Sequence, residues 1–118
     1  MLPIAIAFFI LGTTNVPIEI LKNIEAIQRY WPEPSKQMEI VRIFNCESGL
    51  RQYDKNGKVI TSHTFDKGIS QINVPLHGKR AKELGHKLDT LEGSLGYART
   101  LYDEEGVNPW VCSRLVGG

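Results

Sequence analysis

Hydrophobic positions along the chain fall into distinct patterns. The first twelve residues, MLPIAIAFFILG, form an unbroken apolar run, and the first charge is Glu19. Spacing then becomes helical. Ile20 or Leu21, Ile24, Ile27 or Gln28, and Trp31 recur every three to four positions, which predicts a helix over 17–30 with Pro17 in its first turn. WPEPS interrupts it, and Ser35 is the expected cap of the next helix. That helix is predicted over 36–48, where Ile40, Ile43, Phe44 and Glu47 stand at i, i+3, i+4 and i+7. Glu47 therefore shares the apolar face, and Gly49 supplies a C-terminal stop.

The stretch RQYDKNGKVITSHTFDKG loses this period. Asn56-Gly57 is a two-residue hairpin signal and KVIT reads as a short strand, so a small β-hairpin is expected here. A helix follows near 77–88 with Ala81, Leu84 and Leu88 inward. Another is expected near 90–105 with Leu91, Leu95, Ala98 and Tyr102 inward. Asp89-x-x-Glu92 resembles a capping box at its start, and Gly106 ends it. The segment NPWVCSRLVGG brings in Trp110 and Cys112 and closes as a loose tail. Helices around one hairpin give an α+β, mainly α fold.

Composition narrows the picture. A chain of 118 residues forms one domain with a modest core. A net charge of +1 argues against a nucleic-acid partner. Lys79, Arg80, Lys82, His86 and Lys87 cluster locally and read as a solvated helix face. Residues 1–16 have the length of a secretory signal and are short for a membrane span, though no Lys or Arg precedes the run and no Ala-x-Ala site follows. The readings are an export signal, an uncleaved N-terminal anchor with membrane association, or a buried segment, leaving 17–118 as the folded domain. Export would permit a disulfide between Cys46 and Cys112, the only cysteines; two buried free thiols is the other reading. His63, His77 and His86 lack ligand-like spacing, so no metal or cofactor is expected.

Glu47 carries the chemical question. A carboxyl on an apolar helix face is costly to ionise and can keep its proton near neutral pH, as a general acid must. The plainer reading is an acidic residue at a frayed helix end. Asp66, in FDKGISQIN, follows the hairpin and stands before a glycine-led turn. It is either a turn residue or the second carboxyl of a glycosidase pair. Gln71 and Asn73 could offer amides to sugar hydroxyls or serve as polar edge residues.

CESGL, then FDKGISQIN about twenty positions on, then Trp110 and Ser113, resemble the lysozyme-like superfamily, above all bacterial lytic transglycosylases of the soluble type. The similarity covers roughly 20–113. It implies a helical domain with a small β-lobe beside a substrate groove, and cleavage of the β-1,4 bond between N-acetylmuramic acid and N-acetylglucosamine in peptidoglycan. By the resemblance Glu47 is the catalytic acid, and Ser48 positions substrate or the glutamate. Gly68, Gln71 and Asn73 line the groove, and Tyr97, Tyr102 and Trp110 are candidate groove aromatics, with core packing the other reading for at least two of them. Many transglycosylases have Met where Ser70 stands, and their late Ala-Tyr-Asn motif is replaced here by NPWVCS.

Two mechanisms fit. Either Glu47 alone protonates the leaving oxygen and then activates the muramyl 6-hydroxyl, giving a 1,6-anhydro sugar, or Asp66 joins it in a retaining muramidase. In the muramidase the carboxyls stand about 5–5.5 Å apart. The transglycosylase is the first expectation. A non-catalytic glycan-binding module and a small membrane-anchored interaction protein are the competing classes. An exported monomer acting on glycan strands in the periplasm, at the cell surface or outside the cell completes the expectation.

Overall fold

The computed structural model describes residues 15–116. Expectations for the apolar start at 1–14 lie outside them. No described helix is long and apolar enough to cross a membrane. The described elements are α1 (Ile18–Tyr30), α2 (Pro34–Ser48), β1 (Asp66–Lys67), β2 (Ile72–Asn73), α3 (Val74–Glu83), α4 (Leu91–Glu105) and α5 (Cys112–Leu115). The mainly helical α+β architecture is thus as expected.

α1 buries Ile20, Ile24 and Ile27, the stripe its spacing predicts. Pro17 is its N-cap rather than a first-turn residue. Trp31 ends it, fully buried, with its ring edge-on to Phe44 and Tyr102. α2 begins at Pro34 with Glu33 as N-cap, so Ser35 is not the cap. Proline suits this first position because its missing N–H would have no helical partner there. α2 buries Ile40, Val41, Ile43 and Phe44.

Gly49 closes α2 at φ 69°, and Leu50 follows at φ 61°. A left-handed non-glycine residue costs about 1–2 kcal/mol. Leu50 is fully buried, worth about 1.5–3 kcal/mol, so burial wins and the reversal holds. Asn23 on α1 fastens it further by donating to the Leu50 carbonyl at 2.8 Å.

Asn56-Gly57 does form a turn, but not the two-residue kind. Only Gly57 takes positive φ there, at 78°, and Asn56 does not. Gly57 N–H donates to Asp54 O at 3.0 Å and Asp54 N–H to Lys58 O at 2.7 Å, the pattern of a longer loop closed by a left-handed glycine. The Asp54 carboxylate accepts from Asn56 and Lys58 N–H, a local turn that competes with ladder pairing. KVIT accordingly supplies only isolated bridges, Tyr53 to Val59 and Thr61 to Lys67. The paired strands lie later, antiparallel, with Asp66 opposite Asn73 and Lys67 opposite Ile72.

α3 starts at Val74, three residues earlier than expected, because the Asn73 side chain caps it by accepting from Leu76 N–H at 3.0 Å. It ends at Glu83. Leu84 is about half exposed rather than inward, while Ala81 and Leu88 are buried. α4 is capped by Thr90, not by an Asp89 box; Asp89 pairs with Lys67 at 2.8 Å instead. α4 buries Leu95, Tyr97, Ala98 and Leu101, with Gly93, Ser94 and Gly96 also enclosed, and packs against α1. At Gly93 a Cβ would lie 1.8 Å from the Lys87 carbonyl, so glycine is what lets the 84–90 loop close on the helix.

Cys46 and Cys112 form a disulfide with Cα atoms 5.9 Å apart, tying α5 to the end of α2. The 66-residue separation gives about 4 kcal/mol by loop entropy, in line with the pairing expected of an oxidising compartment.

Candidate active site

α2 delivers Glu47 one turn from the buried Ile43 and Phe44, and its side chain is half-buried. Its Oε2 accepts the Cys112 N–H at 3.2 Å. Burial raises the Glu47 pKa above the ordinary carboxylate value. The Cys112 N–H pulls the other way, and the Asp66 charge adds to the rise.

Asp66 is shifted in the opposite direction. Its Oδ2 accepts from the Ser62 hydroxyl at 2.7 Å and the Thr64 hydroxyl at 2.6 Å, and its Oδ1 from Asn73 Nδ2 at 2.9 Å. Burial opposes its ionisation. The hydrogen bonds from Thr64, Ser62 and Asn73, with the His63 charge, together outweigh that and lower its pKa. Two carboxyls within electrostatic reach of one another are thus pushed in opposite directions, the arrangement by which one site runs acid and base chemistry together.

Asp66 lines a cleft of about 230 Å³ with Gln71, Asn73, Leu76, His77 and Trp110 among its walls. Glu47 does not line this cleft, and two larger cavities, about 470 and 510 Å³, are lined by neither carboxyl. No cluster of three metal-ligating side chains occurs among the described residues.

The other expected site residues divide. Gln71 borders the cleft in left-handed backbone, φ 50°, with its amide donating to the Gly68 carbonyl at 3.0 Å. Strain of this kind gathers where a turn is shaped for function. Asn73 also borders the cleft, but its amide is engaged by Asp66 and the α3 cap. Ser48 donates to the Ile69 carbonyl at 2.7 Å, so it fixes the turn rather than meeting a ligand.

Three expectations need correction. Gly68 is buried at φ 77° against the Gln52 amide and offers no groove surface. Tyr97 is fully buried, its hydroxyl 2.8 Å from His77 Nδ1. Trp110 is 2% exposed, its Nε1 donating to the Ser70 carbonyl at 2.8 Å and its ring edge-on to Phe44. Neither ring can stack on a sugar; both hold the cleft's walls.

Several contributors escaped the sequence reading. Ser62 and Thr64 hold Asp66, and the S-x-T-x-D spacing was the available signal. His77 borders the cleft, with burial lowering its pKa against Glu105 and Glu104. Gln52 is 2% exposed and accepts from Ile69 N–H while donating to the Leu88 carbonyl. Nothing local marks that role.

Comparisons with protein-family models, curated proteins and solved structures find no match for this chain.

Proposed function

We propose that this protein cleaves β-1,4 glycosidic bonds in peptidoglycan glycan strands, with Glu47 as the general acid. One observation carries the reading: a half-buried glutamate whose pKa is raised by burial lies in the field of an aspartate whose pKa is lowered by three hydrogen bonds. In glycoside cleavage the first protonates the leaving oxygen and the second stabilises or attacks the developing cation at the anomeric carbon. The resemblance of CESGL and GISQIN to lysozyme-like enzymes supplies the substrate class.

The fate of that cation separates two readings. Family resemblance favours the lytic transglycosylase, in which Glu47 works alone and the muramyl 6-hydroxyl attacks. The three hydrogen bonds that lower the Asp66 pKa favour the retaining muramidase, in which Asp66 takes part and water completes hydrolysis. An oxidising compartment outside the cytoplasm suits both, given the disulfide.

The test is product analysis on purified peptidoglycan with wild type, Glu47→Gln and Asp66→Asn. Glu47→Gln is expected to stay folded and lose cleavage; turnover retained by that variant removes the proposal. Reducing-end muropeptides together with loss of activity in Asp66→Asn mark the muramidase. Anhydro ends with little loss in Asp66→Asn mark the transglycosylase. Binding of glycan without turnover by wild type marks a non-catalytic module.

A further inference from the structure

Glu47 is linked to the C-terminal segment in two ways. Cys46 precedes it in α2, and the disulfide partner Cys112 gives its backbone N–H to the Glu47 carboxyl. Before this segment, Trp110 is locked into the core through Ser70 and Phe44. α5 spans four residues with no side-chain cap, Val111 and Leu115 are 59% and 72% exposed, and Ser113 bonds back to Trp110. Among the described residues, the disulfide, the Cys112 N–H to Glu47, the buried Cys112 side chain and a partly buried Val116 hold this segment against α2. Cys46 is exposed, so a small reductant can reach the bond.

We propose that Cys112 is a positioning residue for Glu47: the Cys46–Cys112 bond keeps the 111–116 segment lying on the carboxyl, and breaking it disables the acid. The proposal rests on the general-acid reading of Glu47. The consequence is an enzyme whose proton donor is assembled only where disulfides persist. The sign follows from two opposed effects of the same segment. It shields the carboxyl from water, which favours the proton, and it donates an N–H, which favours the charge. Burial is the largest cause of the raised Glu47 pKa, ahead of the Cys112 N–H, so water reaching the carboxyl when the segment is released moves Glu47 back towards the ordinary carboxylate value.

The test compares oxidised protein with protein reduced by an excess of a dithiol, and with Cys46→Ala/Cys112→Ala. The dithiol transfers two electrons and two protons to the bond, leaving two thiols here and its own cyclic disulfide. Circular dichroism reports the fold, carboxyl-carbon NMR reports the Glu47 titration, and initial rates on peptidoglycan report activity across pH. Expected are a retained fold, a downward move of the Glu47 midpoint, and an alkaline limb of the rate profile displaced towards acid. The neutral-pH rate should fall at least about tenfold and return on reoxidation, since a general acid contributes about 10²–10⁴. An unchanged Glu47 midpoint in the reduced protein overturns the proposal. Global unfolding on reduction overturns it too, because the bond would then hold the domain rather than the acid. Inactive oxidised protein would instead remove the proposed function, while the NMR titration still judges the strap.

Discussion

Replacing Gln52 by leucine tests how the turn beside the candidate site is held. The Gln52 amide bridges two buried backbone groups, the Ile69 N–H at 2.8 Å and the Leu88 carbonyl at 3.1 Å. Leucine fills similar space and bonds neither. Each stranded group costs about 1–3 kcal/mol, or about 2–6 kcal/mol for both. Greater burial of apolar surface recovers part of this, leaving a loss of about 3 kcal/mol. For a domain of this size that lowers Tm by roughly 15 °C. Urea unfolding with the disulfide intact is the assay, read as a fall in midpoint at constant slope. The slope should hold because the surface exposed on unfolding hardly changes. A loss under about 1 kcal/mol would refute the reasoning, since water would then be satisfying both groups. Activity measured well below the variant's melting range should also fall, roughly tenfold or more, because the Ile69 turn that receives Ser48 is loosened.

Two further outcomes follow from the carboxyl pair. The rate on peptidoglycan should be bell-shaped in pH, with an acid limb set by Asp66 below the ordinary aspartate value and an alkaline limb set by Glu47 above the ordinary glutamate value. A rate climbing steadily through neutral pH contradicts this. Glu47→Gln should raise Tm at neutral pH and leave it unchanged at acid pH. A raised folded pKa gives stability that is present below the unfolded pKa and lost as pH rises through the folded one, and glutamine never ionises. Thermal melts of both proteins across that range check it; equal Tm values throughout would show that Glu47 ionises without cost.

The helical part of the fold was legible because periodicity reports which face is buried. Ile20, Ile24, Ile27, Ile40 and Phe44 are all in the core at the spacing that predicted them. Helix starts were less legible. Asn73 and Thr90 cap where Ser35 and Asp89 do not, since a cap depends on where the chain leaves extended backbone. Strand pairing was misplaced because the Asp54 carboxylate organises its turn locally, a choice the Asn-Gly signal does not reveal. Glu47 could be singled out from its helical face, but the state of Asp66 depends on Ser62 and Thr64, which reach it through a turn. Tyr97 and Trp110 looked like groove aromatics because sequence does not say which way a ring faces. Ser70 departs from the methionine common in transglycosylases, and the fold explains it. Its fully buried hydroxyl lies 2.6 Å from that of Ser94, which is also fully buried, so the space belongs to two small side chains.

Asn73 has the widest reach of any single side chain near the cleft. One end of its amide starts a helix and the other steadies a charged oxygen of Asp66. Thermal robustness and acidity are therefore inherited together at this position. A directed-evolution campaign that sought to change one while leaving the other alone would have to work around residue 73.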